Sequence, residues 1–418
     1  MEQKRERSRK QDRGIAARSS IPNAAVLALV ALLTACGNSA QSQNASAEET
    51  QAECVQAGQG EDEQERGEQE QASPEQTESS GMEAETAAGV SEETDTVILQ
   101  EEANGQEITL QSNAYETLSV ATWITKIGDM YYLSDCYHDQ ILCHENLTDP
   151  LTSWLVLTSD VHYAHTIAGD GELLVIDDTE NNRVLTFHVA GGSGSADAVN
   201  EDSATNSGER GAVDSAVRYR KGTTLTQVGN RPHFVQYDEA RQEFLIWSSE
   251  TGEMFYMSKD SSGELQVDKI LQLPELNGIY VRSFTIEGDD LLFVSGPGNR
   301  EILRTDMDTL EVKERYEVPA ELAGMAQVLR IQDYYYLTIS TDETGSQDYA
   351  TIVRTKDLSQ LVAGEYEDVY EDFGLGGGTP YYISCMDGRY YLAHHRTAEN
   401  ILGFDVIDNA ICNVEVVY

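Results

Sequence analysis

The stretch that decides the fold runs from Thr166 to Leu185 and reads TIAGDGELLVIDDTENNRVL. Asp170-Gly171 is a two-residue turn signal, and the apolar run Leu173–Ile176 that follows it favours a β-strand. A second turn, rich in Asp and Asn, separates this run from another apolar segment that begins at Val184. The pattern predicts consecutive antiparallel strands that are joined by tight turns.

The same turn signal recurs along the chain, each time just before a strand-like run. It is found at Gly128-Asp129, Gly288-Asp289 and Asp387-Gly388. No long segment has a 3.6-residue apolar period, so few helices are expected. Six residues near the start of a first strand serve as repeat markers: Trp123, His165, His233, Arg282, Gln327 and Tyr382. Their spacings are 42, 68, 49, 45 and 55 residues, and we interpret the Gly- and Ser-rich tract within the longest one, at about 190–216, as a flexible insertion.

A period in the forties with four strands per unit is typical of propeller blades. The sequence therefore predicts an all-β fold, a six-bladed β-propeller over about 106–418. Ile411–Tyr418 is expected to be the fourth strand of the last blade, and Ile108–Val120 to add a strand that helps to close the ring. A pair of β-sandwiches is the alternative, which accounts less well for the spacing of the turns.

Thr166–Leu185 resembles an NHL repeat. The Asp-Gly turn, the apolar strand, the Asp-rich turn with Asn181-Asn182-Arg183 and the second apolar strand follow in the order of that repeat. The segment from Asp129 to Leu142 is a looser copy. The whole domain resembles NHL-type and gluconolactonase-type six-bladed propellers of secreted bacterial proteins. The resemblance implies a fold and no single activity, because such rings serve as lactonases, lyases, sugar or peptide binders and scaffolds.

Residues 1–35 have the features of a lipoprotein signal peptide. Seven basic residues precede Ser20, an apolar run of ten residues extends from Ala24 to Leu33, and Leu33-Thr34-Ala35-Cys36 ends it. These last four residues resemble the lipobox of bacterial lipoproteins. The resemblance implies cleavage before Cys36, acylation of that residue with palmitate-type chains, and a protein held at the cell membrane facing outside the cytoplasm. An ordinary signal peptide with a coincidental Cys, or an uncleaved anchor, is the alternative.

Residues 36–105 are expected to form a disordered acidic stalk. Between Gly37 and Gln100 there are sixteen acidic residues, one basic residue and few large apolar side chains. The whole chain has 73 acidic against 28 basic residues, a net charge of −45. This charge argues against nucleic acid as a partner, because phosphate contacts need clustered Lys and Arg.

In propellers of this type, the start of each first strand and the turn between the second and third strands share one face, which is usually the binding face. The predicted ligand-binding residues on this face are Trp123, Tyr137, His138, His165, Asp178, His233, Arg282, Gln327, Tyr382, His394 and Arg396.

Metal chemistry is one interpretation of this face. His165 and His233, with His138 as a third group, could hold Zn or Fe, and the resemblance to NHL propellers then implies a metal-dependent hydrolase or lyase. A gluconolactonase-like site would instead be a calcium cage, for which Asp178 and Asn299 are candidates. No Gly-x-Ser-x-Gly, P-loop or His-Glu-x-x-His motif is found in the sequence.

Binding without catalysis is the interpretation that we favour. Arg282 and Arg396 can clamp a carboxylate or phosphate, and Trp123, Tyr137 and Tyr382 can stack on a sugar or peptide. The expected partners are a polar small molecule, a glycan or an envelope protein, and the expected state is a monomer. A structural scaffold with an occluded apolar channel is a further alternative. Four cysteines of the domain are expected to be mostly free thiols: Cys136, Cys143, Cys385 and Cys412.

Overall fold

The computed structural model describes residues 98–101, 105–190, 217–296, 298–342, 344, 348–375, 377–395, 397 and 400–418. The predicted signal peptide, Cys36, nearly all of the predicted stalk and the predicted insertion lie outside these residues. The described residues form six antiparallel β-sheets that follow one another around a ring. The protein is therefore a six-bladed β-propeller, as predicted.

Three short strands precede blade 1 in the chain: β1 Leu99–Glu101, β2 Glu107–Ile108 and β3 Gln111–Ser112. Blade 1 consists of β4 Ala121–Ile127, β5 Met130–Asp135, β6 Gln140–His144 and β7 Leu155–Thr158. Blade 2 consists of β8 Ile167–Gly169, β9 Leu173–Asp178, β10 Arg183–Ala190 and β11 Arg218–Thr226.

The remaining four blades have four strands each in the described residues. Blade 3 consists of β12 Pro232–Asp238, β13 Glu243–Ser248, β14 Glu253–Lys259 and β15 Leu265–Gln272. Blade 4 consists of β16 Phe284–Glu287, β17 Asp290–Val294, β18 Glu301–Asp306 and β19 Val312–Glu317. Blade 5 consists of β20 Gly324–Ile331, β21 Tyr334–Thr341, β22 Asp348–Thr355 and β23 Glu367–Asp368. Blade 6 consists of β24 Thr379–Met386, β25 Arg389–His395, β26 Ile401–Ile407 and β27 Ala410–Val416.

Short 3-10 helices make up the helical content of the described residues: Cys136–His138, Leu151–Ser153, Thr179–Asn181, Pro274–Leu276, Ala320–Leu322, Leu358–Ala363 and Tyr370–Phe373. In the part of the chain that the structure covers, no helix combines the length and the apolar character that crossing a membrane requires.

The segment before β4 lies on outer edges of the ring. β1 and β2 pair with β11, the outer strand of blade 2, and β3 pairs with β7, the outer strand of blade 1. The segment Ile108–Val120 therefore supplies a strand, as expected, but this strand covers an edge of blade 1. Blade 6 takes its fourth strand, β27, from its own continuous segment, as predicted. β1 lies upstream of residue 106, where the sequence placed the start of the propeller.

Tight turns connect the first two strands of four blades at the predicted positions. The turn glycines Gly128, Gly171, Gly288 and Gly388 all have positive φ, between 60° and 94°. Positive φ is readily adopted by Gly and strained for most other residues. This requirement explains why a Gly with an adjacent Asp marks each of these turns in the sequence.

The hydrophobic core is divided into six clusters, one between each pair of neighbouring blades. Strand β9 shows how the sequence fills two of them. Leu174 and Ile176 pack towards blade 1, whereas Leu173 and Val175 pack towards blade 3. Successive side chains of a strand point to opposite faces, and both faces of a blade are covered by its neighbours. The inner strands are therefore apolar in a continuous run rather than in alternation.

Side-chain hydroxyls join most neighbouring blades close to the ring axis. Each hydroxyl of this group donates to a backbone carbonyl of the next blade. The bonds are Thr122 to His165 (2.8 Å), Thr179 to Pro232 (2.9 Å), Ser249 to Val281 (2.7 Å), Ser283 to Ala326 (2.7 Å) and Thr338 to Tyr381 (2.5 Å).

Candidate functional site

One face of the ring carries both loop sets that the sequence assigned to a binding face. In blades 1, 2 and 3 the loop before the first strand is hydrogen-bonded to the turn between the second and third strands. In blade 2, Glu180 N donates to His162 O, and at blade 3 Ser249 N donates to Arg231 O. We call this face the mouth.

Polar and aromatic side chains from four blades meet at the centre of the mouth. We call this group the mouth cluster, and its members are His165, His233, Tyr280, Arg282, Tyr381, Tyr382 and His395. Four of them were predicted from the sequence. Tyr280, Tyr381 and His395 were not.

His233 is fully buried and has partners on both ring nitrogens. Its Nδ1 lies 3.0 Å from the carbonyl oxygen of Arg282 and 3.1 Å from the Tyr382 hydroxyl, which itself donates to the same carbonyl at 2.7 Å. Nδ1 therefore carries the proton, because a carbonyl can only accept. Nε2 then accepts from the Tyr280 hydroxyl at 2.6 Å.

His165 stacks on His233, with ring centroids 3.8 Å apart and an angle of 27° between the planes. Its Nδ1 lies 3.0 Å from the hydroxyl of Thr179, whose proton goes to a carbonyl, so Nδ1 is the donor here as well. Its Nε2 lies 3.9 Å from the Cys136 sulfur. The carboxylate of Asp177 accepts from the backbone N–H of His165 at 2.7 Å and fixes the position of the residue.

All three imidazoles of the cluster are held in the neutral form. Burial lowers the pKa of His165 and of His395 to about 3, and it lowers the pKa of His233 well below the usual value. The positive charge of Arg282 lowers the pKa of all three further, and that of Arg231 adds to the effect on His165 and His233.

Two guanidinium groups flank one phenol ring at the mouth. The Cζ of Arg231 lies 5.0 Å, and that of Arg282 5.4 Å, from the ring centroid of Tyr280. Arg231 also pairs with Glu180 at 2.7 Å on the rim. Arg282 is only 3% exposed, and its Nη1 donates to Met325 O at 3.3 Å. Two positively charged side chains therefore lie next to the centre of the mouth, and the charge of Arg231 is paired with that of Glu180.

His395 differs from the other imidazoles of the cluster. It is 8% exposed, and its ring meets the Tyr381 ring edge-on at a centroid distance of 5.1 Å. Neither of its ring nitrogens has a hydrogen-bond partner among the described residues. The indole N–H of Trp123 is likewise buried without a partner in the described part of the chain.

Aromatic rings from four blades fill the axis next to the mouth cluster. Trp123 meets the rings of Phe234 and Tyr382 at 5.7 and 6.0 Å, and Phe234 meets those of Tyr382 and Phe284 at 4.9 and 5.5 Å. We call these four residues the aromatic plug. The ring of Tyr382 belongs to the plug, whereas its hydroxyl belongs to the mouth cluster.

Several other predicted residues lie away from the centre. Tyr137 is on the rim of blade 1, with its ring 5.1 Å from that of Tyr163. His138 stacks on Tyr115 at 3.6 Å, and its Nδ1 lies 2.7 Å from Asp135.

Three further predicted residues hold loops or neighbouring blades together. The buried carboxylate of Asp178 accepts from His162 N and from the side chains of Asn181 and Arg183. Gln327 bonds the N–H and the C=O of Ile383 in the next blade, at 2.7 and 3.2 Å. The Nε2 of His394, a fully buried residue, lies 3.1 Å from the Tyr370 hydroxyl. Arg396 and Cys36 lie outside the described residues.

The described residues contain no group of three or more His, Cys, Asp or Glu side chains that could hold a metal ion. His165 and His233 are adjacent, as a shared metal would need, but each Nε2 faces a protein hydroxyl or thiol. The metal site at these two residues stays a prediction. Cys136, Cys143, Cys385 and Cys412 form no disulfide in the described part of the chain, which agrees with the expectation for these four cysteines.

Each missed residue has a sequence neighbour that was predicted. His395 follows His394, and Tyr280 lies two residues before Arg282. Tyr381 and Tyr382 both reach the centre because the pairing of β24 with β25 shifts register between Pro380 and Ile383. The adjacent Tyr381 and Tyr382 are the available signal in the sequence, but the alternation of side chains along a regular strand would turn only one of the two rings to the centre.

No family model matches the chain, and no similar sequence was found among curated proteins. Solved structures with a similar fold do exist. A streptogramin B lyase is 12% identical with a TM-score of 0.45, and the alignment covers 75% of this chain and 86% of that one. A catalytically inactive virginiamycin B lyase from Staphylococcus aureus is 12% identical with a TM-score of 0.43, over 76% and 88% of the two chains. A proposed 6-phosphogluconolactonase from Bacteroides uniformis is 12% identical with a TM-score of 0.44, over 69% and 82%. At these values the similarity concerns the fold type, and no site residue or activity is transferred from it.

Proposed function

We propose that this chain is a membrane-anchored, extracytoplasmic lipoprotein whose propeller binds a polar ligand, a glycan or a protein partner at the mouth without catalysis. The basic, apolar and lipobox segments at 1–36 support the anchoring. The mouth cluster supports the binding, since it combines charged, hydrogen-bonding and aromatic groups in one place.

The observation that carries the proposal is the state of His395. An imidazole buried to more than nine-tenths, with no hydrogen-bond partner among the described residues, leaves a donor and an acceptor unsatisfied. Each unsatisfied buried polar group costs about 1–3 kcal/mol in folding stability. A ligand that forms hydrogen bonds to this ring recovers that free energy. A residue with a purely structural role would not need a ligand for this, because its partners would be within the protein.

Recognition is favoured over catalysis by the way the other two imidazoles are held. His233 donates to the Arg282 carbonyl and accepts from Tyr280, and His165 donates to Thr179. These fixed bonds suit rings that define a binding surface, whereas a general base must be able to take a proton from the substrate. The aromatic plug agrees with a scaffold, whose channel would be occluded and apolar. The polar mouth cluster next to the plug instead offers the hydrogen-bonding groups that a binding site needs.

Replacing Cys36 tests the anchoring. In a Cys36→Ser variant the thiol that would receive the diacylglyceryl group is absent, so we expect the protein to move from the membrane fraction to the soluble extracytoplasmic fraction and to lose incorporated labelled fatty acid. Cys54→Ser is the matched control, because this second cysteine lies in the same predicted segment, and it should stay in the membrane. Release of both variants, or of neither, would contradict the proposal.

Thermal unfolding of the full chain in detergent tests the binding. Three probe classes are added separately: neutral oligosaccharides, short peptides, and sodium acetate or phosphate. We expect at least one class to raise the Tm by a few degrees in a saturable manner, since ligand binding stabilises the folded state. His233→Ala and His395→Leu should abolish the increase, whereas His188→Ala, which changes an imidazole on the outer part of blade 2, should keep it. An equal response in all variants, or none with any probe, would contradict binding at the mouth.

A further inference from the structure

Exposed tyrosine rings are concentrated on the mouth side of blade 1. Tyr115 is 44% exposed and Tyr137 is 38% exposed, and every other tyrosine whose side chain the structure describes is buried or half-buried. A ring of this size is normally removed from water, because its burial stabilises the folded state. Two exposed rings in one part of the surface therefore point to a binding site.

One short 3-10 helix of blade 1 carries a member of each of two aromatic pairs. His138 stacks on Tyr115, with the centroids 3.6 Å apart and an angle of 5° between the ring planes. The ring of the preceding residue, Tyr137, lies 5.1 Å from that of Tyr163 in the adjacent loop of blade 2. The buried amide of Asn113 accepts from the backbone N–H of Tyr115 at 3.2 Å and donates to its carbonyl at 3.1 Å. The rings are thus held in place before a ligand arrives, which lowers the entropic cost of binding.

Tyr163 has a backbone conformation that is unusual for a bulky residue. Its φ is 55°, in the left-handed region that Gly, Asn and Asp adopt far more readily. The backbone N–H of Tyr163 donates to Oδ1 of Asp139 at 3.0 Å, and the Nδ1 of His162 lies 3.1 Å from the same oxygen. Strain of this kind persists only where its surroundings enforce it, and it is concentrated at functional sites.

Two exposed hydrogen-bond acceptors lie beside these rings. The ring of His162 stacks on that of Tyr163 at a centroid distance of 4.3 Å, and its side chain is 47% exposed. Its Nδ1 carries the proton because the Asp139 carboxylate can only accept, so Nε2 is an acceptor. Neither this Nε2 nor Oδ2 of Asp139, whose side chain is 40% exposed, has a hydrogen-bond partner among the described residues. A ligand must therefore supply donors, which a carboxylate or phosphate group lacks.

We call these residues the rim site: Tyr115, Tyr137, His138, Asp139, His162 and Tyr163. We propose that the rim site binds a neutral glycan, whose sugar rings stack on the exposed tyrosines and whose hydroxyls donate to Asp139 and His162. A sugar ring has C–H groups on its faces and hydroxyls around its edge, so it satisfies both parts of the site at once. Two separate aromatic pairs fit consecutive sugar units, whereas a single cation would use only one of them. This inference rests on the proposed function, since it names the ligand class and extends the contacts of the mouth to the rim of blades 1 and 2.

Calorimetric titration of the full chain, in a detergent without a sugar headgroup, tests the rim site. The probes are maltotetraose, cellotetraose and chitotetraose. We expect saturable binding of at least one of them, with a Kd that is the same at low and high sodium chloride concentration because the ligand is uncharged. Tyr115→Ala and Tyr137→Ala should each increase the Kd about fivefold, since each removes one stacking surface. Tyr115→Phe keeps the ring and should keep the Kd of the parent.

Tyr316→Ala is the matched control, since it removes a half-buried tyrosine from β19, the outer strand of blade 4, and it should leave the Kd unchanged. The inference is overturned if none of the three oligosaccharides binds, or if the two rim variants to Ala bind as tightly as this control. Displacement of the bound oligosaccharide by tetralysine would also overturn it, in favour of a cationic peptide. If a peptide or an anion still raises the Tm in a way that depends on His395, the proposed function stays in place and only the rim site is removed.

Discussion

Three imidazoles at the mouth have a charge state that is set by burial. His165 and His395 both have a pKa of about 3, and the main cause is the loss of hydration of the charged form. In the unfolded chain the same side chains have a pKa near 6.5. Between pH 6.5 and pH 3 the unfolded state therefore binds more protons than the folded state. Stability must fall as the pH falls through this window.

The His395→Leu variant isolates one of these groups. A single neutral imidazole of this kind loses about 1.4 kcal/mol of stability per pH unit below 6.5, or roughly 2 kcal/mol by pH 5. We expect the free energy of unfolding of the parent to decrease more steeply with falling pH than that of the variant, with a difference in slope of this size. Urea unfolding at a series of pH values between 7 and 4.5 measures it.

His162→Leu is the control for this experiment. The His162 side chain is 47% exposed on the rim of the same face, so its replacement removes an imidazole without removing a buried one. The slope of the control should match that of the parent. Parallel curves for the parent and His395→Leu would mean that His395 is hydrated in the folded protein.

The secondary structure could be predicted from the sequence wherever the residues of one strand and its adjoining turn determine the local conformation. The interpretation of Thr166–Leu185 as strand, turn and strand is confirmed by β8, β9 and β10. The Asx turn at Asp170, which accepts from the N–H groups of Glu172 and Leu173, and the positive φ of Gly171 depend on adjacent residues alone. The number of blades followed from the same turn signal, which recurs in four blades, together with the regular spacing of the six strand starts.

The site could be predicted only in part, because its members meet through the ring and not through the chain. His233 and Tyr382 are 149 residues apart, yet their side chains are 3.1 Å apart. Both were predicted because each lies near the start of a first strand, but that approach assigns only one residue per strand to the centre of the ring. The shift of register in β24 brings Tyr381 to the centre as well, and His395 comes from a second strand. Such a shift depends on the pairing between strands, which has no strong local signal.

At the scale of the whole molecule, the joint between blades 6 and 1 decides whether the ring is closed. Within the described ranges, blade 6 takes all four strands from one continuous segment, so the joint is made by side chains. A hydrophobic cluster, which includes Leu133 and Ala393, lies between the two blades, and Lys126 pairs with Asp387 at 2.5 Å. Tyr418 spans the joint. Its backbone oxygen accepts from Asn400 N at 2.7 Å in blade 6, and its hydroxyl reaches blade 1.

Tyr418→Phe tests this joint, because it removes one hydroxyl and keeps the ring. That hydroxyl lies 2.8 Å from the indole nitrogen of Trp154 and donates to the backbone oxygens of Leu147 and Asp149. Loss of these partly buried bonds should reduce the free energy of unfolding by about 1–3 kcal/mol. Because only one joint is weakened, hydrogen exchange should become faster in β4 and in β24–β27 and stay unchanged in blade 3.

Tyr131→Phe is the matched control, since its hydroxyl has no hydrogen bond among the described residues and its ring also lies at the joint between blades 1 and 6. We expect its exchange pattern to equal that of the parent. If Tyr418→Phe accelerates exchange equally in all six blades, the ring unfolds as one cooperative unit and the joint is no weaker than the other interfaces. If it accelerates none, the hydrophobic cluster alone holds blades 6 and 1 together, and the contacts of the Tyr418 hydroxyl do not contribute to closure.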